Sequence, residues 1–284
     1  MCMNLTITPL LRYPGGKYRA RKIISKIVPD NTSHVLSPFA GGASVELFLT
    51  KNEIHVDCYD GYDLLANFWG RVLEDPMVLS DNIETHLGNV YKEDFLSMQK
   101  ILKEHHNKDI KENDRLNLAV LFFIVNRCSF SGTTLSGGFS QESSTKRFTV
   151  SSINRVKSFN NPFFTYEHGF YEDILGNDDA VKGYDLLLLD PPYFLRNKEK
   201  DGVSALYGVS GDMHKYFDHK NFRDAVIKYD IPFILTYNNV DEVKDMWSDY
   251  YIYPAQWSYG MNASKKSSEI IITNFEVDGD DLGK

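Results

Sequence analysis

The sequence has few cysteines, no long hydrophobic run and no spacing of side chains that suits a metal. Its three cysteines, Cys2, Cys58 and Cys128, lie far apart and form no CxxC pair, so neither a disulfide framework nor a cysteine zinc site is expected. HExxH is absent and the eight histidines show no metal-ligand spacing. The longest apolar run, 118–125, is far shorter than the roughly 20 residues of a membrane span. No secretory signal pattern precedes it, so we expect a cytoplasmic protein without metal or membrane.

Acidic residues are in excess, but they are unevenly distributed. The 284 residues carry a formal net charge of −8, which argues against a nucleic-acid partner, because phosphate contacts need Lys and Arg. Residues 12–26, however, contain basic residues and no acidic one, and residues 115–157 contain only Glu142 as an acidic residue. These stretches are either scattered solvated charges or a basic face on an acidic protein.

Short apolar runs rich in β-forming residues alternate with helical patterns. Strands are predicted at 35–39, 54–59, 163–167, 184–189, 233–237, 252–258 and 269–275. Such alternation predicts a doubly wound, mostly parallel sheet of the α/β class. The leucines before Asp190 show no polar alternation, so they are predicted to form the central strand, covered on both faces. The last two runs leave no room for a crossover helix and should form an antiparallel hairpin at one edge.

The alternation stops between about residues 70 and 160. Helical patterns at 93–105 and 115–127 are followed by a segment rich in Ser, Thr and Gly at 129–144. Polar loops of this length are usually functional or disordered. We therefore predict an inserted, mainly helical domain, 70–159, within a main domain made of 1–69 and 160–284.

Two predicted strands end in residues that suit an adenosine-containing ligand. The first runs into a turn of small residues, 37–44, from which a helix is predicted at 45–50; such a turn lets a ligand approach the backbone closely. The second ends at Asp60, whose carboxylate could accept hydrogen bonds from ribose hydroxyls. NAD and S-adenosylmethionine both fit this description.

The central strand ends in Asp190-Pro191-Pro192-Tyr193. The two prolines hold the chain extended and rigid. Asp190 and the carbonyl of Pro191 could then accept both protons of an exocyclic amine, while the ring of Tyr193 stacks on the base. This chemistry favours S-adenosylmethionine over NAD, and the GxGxxG turn of a nicotinamide dehydrogenase is missing.

These motifs, in this order and over nearly the whole chain, resemble the DPPY-type, Dam-like class of DNA adenine methyltransferases. Residues 12–17 resemble the amino-terminal (W/Y)xGGK motif, 39–44 the cofactor turn, 126–132 the NRxxFxG element of the target-recognition insert, and 190–193 the catalytic motif. The resemblance implies a Rossmann-like fold and transfer of a methyl group from S-adenosylmethionine to N6 of a flipped adenine in double-stranded DNA.

The resemblance also implies the site residues. The cofactor would be bound by Tyr13, Gly16, Lys17, Phe39, Gly41, Gly42, Ser44, Asp60 and Asp190. The catalytic residues would be Asp190, Pro191, Pro192 and Tyr193. The composition of residues 126–147, which combine a helix end, a loop rich in glycine and hydroxyl groups, and basic residues, separately predicts that DNA is bound by Arg127, Ser129, Ser131, Lys146 and Arg147. The protein is expected to be a monomer or a weak dimer.

Three positions depart from the family pattern. Ser37 stands where a glutamate often precedes the Pro-Phe pair, and Phe170 lies near the position of an acidic residue. Leu135 stands where members that methylate GATC have an arginine, so GATC is not the predicted target. Alternatives are an N4-cytosine methyltransferase, methylation of an RNA base or a protein glutamine, and a non-catalytic DNA-binding relative.

Overall fold

A computed structural model describes residues 5–195, 217–255, 269–279 and 282. In this part of the chain seven strands form one sheet in the order β3-β2-β1-β4-β5-β7-β6. The strands are β1 (His34–Ser37), β2 (His55–Asp60), β3 (Phe164–His168), β4 (Leu186–Leu189), β5 (Phe233–Asn238), β6 (Tyr251–Ala255) and β7 (Glu269–Thr273).

The first five strands are parallel to one another, whereas β7 is antiparallel to both β5 and β6. The predicted mostly parallel sheet and the predicted hairpin at its edge are therefore confirmed. The predicted strand 252–258 is described only as far as Ala255, and its last three residues lie outside the described part of the chain. The strand order reverses between β1 and β4, which is where α/β folds bind ligands.

The central strand is β4, as predicted, and it is buried on both faces. Leu186 and Leu188 pack into the core on one side of the sheet, and Leu187 and Leu189 pack into the core on the other. Successive side chains of a strand point to opposite faces. A strand covered by helices on both sides must therefore be apolar at every position, which explains the run of leucines.

Helices cover both faces of the sheet and also fill the segment between β2 and β3. They are α1 (Arg21–Lys26), α2 (Glu46–Leu49), α3 (Asp63–Glu74), α4 (Pro76–Glu84), α5 (Lys92–His105), α6 (Glu112–Cys128), α7 (Gln141–Lys146), α8 (Val150–Lys157), α9 (Tyr171–Gly176), α10 (Asp178–Val181), α11 (His219–Ile227) and α12 (Asp241–Met246). The predicted helix 45–50 is shorter than expected, because a 3₁₀ turn, Thr50–Asn52, follows α2. None of the described helices is long and apolar enough to cross a membrane.

The segment predicted as an insert contains α4 to α8 and no strand. Helix α6 is buried from Leu118 to Cys128. It shares one hydrophobic core with α3 and with Val35 and Val56 of the sheet. Helix α3 spans position 70 and packs against both β3 and α6. The segment therefore shares the core of the sheet and packs onto it through α3. Its boundaries at 70 and 159 stay a prediction.

Candidate active site

One open cavity adjoins the carboxyl ends of the parallel strands and extends to the loop that follows α6. Its wall includes the glycine turn after β1, Asp60 at the end of β2, the Asp-Pro-Pro-Tyr segment after β4, and Arg127 and Phe130 of the insert. The structure thus places the motifs of the cofactor, catalytic and recognition predictions around one space. Within the described residues, no group of three or more His, Cys, Asp or Glu side chains is placed to hold a metal ion.

Tyr13 packs directly on the glycine turn after β1. Gly41 has a φ of +50°, and a Cβ atom there would lie 2.8 Å from Cε1 of Tyr13. A Cβ atom at Gly42 would lie 2.7 Å from Cβ of Tyr13. The turn therefore needs glycine at both positions, and the hydroxyl of Tyr166 fixes it further by donating to the carbonyl of Gly41 at 2.9 Å. The amino-terminal motif and the cofactor turn form one wall of the cavity.

Asp60 ties the end of β2 to the same turn. Its Oδ2 accepts a hydrogen bond from the backbone N–H of Gly41 at 2.8 Å, and its Oδ1 accepts one from Tyr62 at 2.9 Å. Burial raises the pKa of Asp60 to about 6, although both backbone hydrogen bonds act to lower it. Each carboxylate oxygen has a second lone pair, so Asp60 can also accept hydrogen bonds from a ligand in the cavity.

Asp190, which is partly exposed to the cavity, forms an ion pair with the buried Lys17. The Nζ atom of Lys17 lies 2.8 Å from both carboxylate oxygens, and the hydroxyl of Thr236 on β5 donates to Oδ1 at 2.7 Å. The same Nζ atom lies 4.9 Å from the centroid of the Tyr193 ring. Two residues predicted as separate cofactor contacts are therefore bound to each other beside the aromatic ring of Tyr193, which is predicted to be catalytic.

Two residues of the neighbouring strands hold the Asp-Pro-Pro-Tyr segment in place. Glu269, the first residue of β7, accepts a hydrogen bond from the Tyr193 hydroxyl at 2.6 Å and lies 3.9 Å from Nζ of Lys17. Asn238 at the end of β5 accepts from the N–H of Phe194 and donates to its carbonyl, both at 3.0 Å. Neither residue was predicted from the sequence. The one signal there is a glutamate directly before three isoleucines.

A second buried carboxylate, Glu46, also lines the cavity. Its Oε1 accepts from the Ser37 hydroxyl at 2.9 Å, and its Oε2 accepts from the backbone N–H of Val45 at 3.1 Å. Burial raises the pKa of Glu46 to about 7, and the negative charge of Asp190 contributes to the rise. Ser37, which departs from the family pattern by not being a glutamate, thus contacts a glutamate from α2.

The loop after α6 is bound to the amino-terminal motif. The side chain of Asn126 accepts from the N–H of Arg12 at 3.0 Å and donates to the carbonyls of Arg12 and Gly132 at 2.8 and 3.0 Å. Gly132 has a φ of +77°, and a Cβ atom there would lie 2.3 Å from the Arg12 carbonyl oxygen. Gln99 of α5 donates to the carbonyls of Thr134 and Gly137, both at 2.7 Å. The loop is therefore compact and rests on the backbone that precedes Tyr13.

Arginine side chains gather where this loop meets the cavity. Arg127 is only 4% exposed and donates to the carbonyl of Leu10. Burial, together with the positive charges of Arg155, Arg12 and Arg147, lowers its pKa to about 9. All four arginines line the cavity. Neighbouring guanidinium groups repel one another, and a bound anion offsets this repulsion. A cluster of arginines therefore attracts an anion.

The other predicted DNA-binding residues lie in different surroundings. Ser129 is fully buried, and its hydroxyl donates to the carbonyl of Asn126. Lys146 is exposed and forms an ion pair with Glu142 one helical turn earlier. Ser131 lines the cavity next to Phe130, an aromatic residue that is 62% exposed. Only part of the predicted set therefore faces the space that a DNA base could enter.

A glycine turn after β1, a carboxylate at the end of β2 and Asp-Pro-Pro-Tyr after a central parallel strand together define a Rossmann-like methyltransferase fold. The family model for D12 class N6 adenine-specific DNA methyltransferases matches residues 13–261, and the chain belongs to this family. It is an adenine-specific DNA methyltransferase, and the family uses S-adenosylmethionine as its methyl donor. The sequence-based prediction of the family, the fold and the reaction is thereby confirmed.

Two relatives match along almost the whole chain. The type II methyltransferase M1.LlaDCHI of Lactococcus lactis subsp. cremoris is 21% identical, with 96% of this chain and 97% of the relative covered. The modification methylase StsI of Streptococcus sanguinis is 24% identical, with 94% of this chain and 43% of the relative covered. One name describes a type II methyltransferase and the other a modification methylase.

Proposed function

We propose that S-adenosylmethionine binds between the glycine turn and Asp190, and that the target adenine lies beside Asp190 and Tyr193. The observation that carries this proposal is the position of Asp190. It lies at the carboxyl end of the central strand, in the wall shared by the glycine turn and the aromatic ring. A methyl donor and an acceptor amine must meet at one point. Asp190 lies where the glycine turn, proposed to bind the donor, adjoins Tyr193, proposed to bind the base.

The residues present fit the cofactor. The turn formed by Gly41 and Gly42, with Tyr13 packed against it, lines the cavity, and Asp60 offers carboxylate oxygens for the ribose hydroxyls. Lys17 offers a positive charge for the carboxylate of the amino-acid moiety. When bound, S-adenosylmethionine supplies a methyl group activated by its sulfonium charge. Tyr13, Gly16, Phe39 and Ser44 form the remaining wall of this part of the cavity.

Asp190 and Pro191 act on the amine of the base. The lone pair of the adenine N6 atom is delocalised into the ring, so the amine is a weak nucleophile. Oδ1 of Asp190 accepts from both Lys17 and Thr236, whereas Oδ2 accepts only from Lys17 among the described contacts. Oδ2 can therefore accept one N6 proton while the Pro191 carbonyl accepts the other. These two acceptors localise the lone pair and stabilise the positive charge that develops on nitrogen.

The arginine cluster is proposed to bind the DNA backbone. A phosphodiester adds negative charge beside Arg12, Arg147 and Arg155, where Glu142 is an acidic side chain acting on Arg12 and Arg147, and arginine binds phosphate oxygens in a bidentate manner. Arg127, which is only 4% exposed, contributes its positive charge rather than a direct contact. Flipping the target base out of the duplex costs a few kcal/mol of stacking. Phe130, exposed at the rim, is proposed to replace part of this stacking at the position that the base leaves. Ser131 stays in the proposed interface, whereas the burial of Ser129 and the ion pair of Lys146 argue for structural roles.

The recognition sequence is proposed to differ from GATC. Leu135, which replaces the arginine of the GATC-methylating members, is buried in the loop and offers no group to a base edge. The expectation of a monomer or weak dimer stays a prediction.

The proposal is tested by incubating the purified protein with DNA and labelled S-adenosylmethionine. Digestion should yield N6-methyladenosine, and long-read sequencing of DNA from a host that expresses the chain should place it in one sequence context. Label found only in N4-methylcytosine would overturn the assignment of the base. Activity retained by Asp190→Ala would overturn the assignment of the site.

A further inference from the structure

Glu269 is a buried carboxylate that the proposed reaction does not use. It is 2% exposed at the start of β7, and the next residues of the strand, Ile270, Ile271 and Ile272, are buried and apolar. A buried glutamate is rare unless it is paired. Packing of this strand alone would be satisfied by an apolar residue at position 269, so the carboxylate calls for a different explanation.

The contacts of Glu269 lead to the aromatic ring of the catalytic motif. The hydroxyl of Tyr193 donates to Oε2 at 2.6 Å, a short bond of the charge-assisted kind. Tyr193 lies in a segment without regular secondary structure, so its backbone alone does not fix the ring. The ring also lies 6.3 Å from the ring of Tyr237, centroid to centroid, and below the Nζ atom of Lys17. The bond to Glu269 holds the hydroxyl end of the Tyr193 ring.

Glu269 also links the two groups that are proposed to hold the base. Its Oε2 lies 3.9 Å from Nζ of Lys17, the same atom that binds both oxygens of Asp190. One ammonium group thus lies between the carboxylate that accepts the amine protons and the carboxylate that holds the stacking ring. A shift of Glu269 would be felt at both Tyr193 and Asp190.

We propose that Glu269 is a positioning residue for methyl transfer: it fixes the Tyr193 ring through its hydroxyl and keeps the ring in register with Asp190. This inference rests on the proposed role of Tyr193 in stacking on the adenine. It changes what the sequence predicts, because the ring alone was expected to matter. With Glu269 as its acceptor, the hydroxyl of Tyr193 contributes to catalysis by orienting the ring, and Tyr193→Phe is not a neutral change.

The experiment compares Glu269→Gln, Glu269→Ala, Tyr193→Phe and the double variant of Tyr193→Phe with Glu269→Gln in the full chain. Measurements are kcat and KM for DNA, S-adenosylmethionine affinity by calorimetry, and the fluorescence of 2-aminopurine in place of the target adenine. Thr273→Val is the matched control, because Thr273 lies at the other end of β7 and donates to the carbonyl of Phe275.

We expect kcat to fall about 10-fold in Glu269→Gln, which still offers a neutral acceptor, and about 100-fold in Glu269→Ala, since small misplacements of reacting groups have effects of this size. Tyr193→Phe should lose about as much as Glu269→Gln, and the double variant should lose little more than either single change. The fluorescence signal should change in the same variants. Affinity for S-adenosylmethionine and the kcat of Thr273→Val should stay within about twofold of the unchanged protein.

Additive losses in the double variant, or an unchanged kcat in Glu269→Gln, would overturn the proposal. A loss confined to cofactor affinity would also overturn it, because Glu269 would then act through Lys17 alone. If Glu269 variants fail to fold, Tyr193→Phe decides: an unchanged kcat and fluorescence signal refute the proposal, and a loss of both supports it. An active Tyr193→Ala would instead refute the stacking role and therefore the proposed function itself.

Discussion

Replacement of Glu46 by glutamine should remove a pH dependence from the stability of the protein. Glu46 is 5% exposed, and burial raises its pKa from the ordinary 4.5 to about 7. The native state therefore holds this proton more tightly than the unfolded chain does, so stability is highest below pH 4.5 and falls as the pH rises towards 7. At about 1.4 kcal/mol per pKa unit, the loss reaches about 3 kcal/mol at pH 8.

Glutamine has the shape to test this reasoning without a cavity. Its carbonyl can accept the N–H of Val45, and its amide can donate to the hydroxyl of Ser37, which accepts as well as donates. We expect Glu46→Gln to be within about 1 kcal/mol of the unchanged protein at pH 5 and more stable by up to about 3 kcal/mol at pH 8. For a chain of this size the gain corresponds to a rise in Tm of about 5 to 10 °C.

The assay is urea unfolding at pH 5, 6, 7 and 8, with thermal melts at the same values. Glu276→Gln, a change at an exposed glutamate near the end of the chain, is the matched control and should show no such trend. A gap between Glu46→Gln and the unchanged protein that is the same at every pH would refute the reasoning. A variant that is less stable at pH 8 would show that the charged form of Glu46 is the one stabilised in the folded protein.

Three further predictions concern the site. Asp190→Ala should abolish methyl transfer while calorimetry still detects S-adenosylmethionine binding, whereas Asp60→Ala should chiefly weaken that binding; equal effects on both measurements would contradict the separate roles. Arg147→Ala should weaken DNA binding and reduce the slope of log affinity against log salt by about 0.9, the value for one phosphate, while Lys146→Ala, paired outside the cavity, should change little. Phe130→Ala should reduce the 2-aminopurine signal of base flipping without changing cofactor affinity, and an unaltered signal would remove Phe130 from the interface.

The sheet was predictable because its signals are local. The run of leucines identified the central strand, and the short connection before β7 identified the antiparallel edge. The meeting of the motifs that follow β1, β2 and β4 was predictable for the same reason, since the carboxyl ends of parallel strands lie at one edge of the sheet.

Residues of other strands that form hydrogen bonds to Asp190 and Tyr193 were not predictable. Thr236 and Glu269 reach Asp190 and Tyr193 only because β5 and β7 follow β4 in the sheet. The sequence order of the strands does not give this spatial order. The burial of Ser129 was missed as well, because a serine in a polar segment looks exposed until its hydroxyl is seen bonded to backbone within the loop.

The bonds between Asn126, Gly132 and the backbone of Arg12 bear on any attempt to change the DNA sequence that this enzyme modifies. Transplanting the loop 129–144 from a relative would replace one half of a fitted pair and keep the other. Because only glycine at position 132 fits against Arg12, a donor loop with another residue there would have to be transferred together with its own residues at positions 12 and 126. With the roles proposed for the loop and for Tyr13, specificity and cofactor binding would be inherited jointly, and selection for a new target sequence in this scaffold should yield compensating changes near Tyr13.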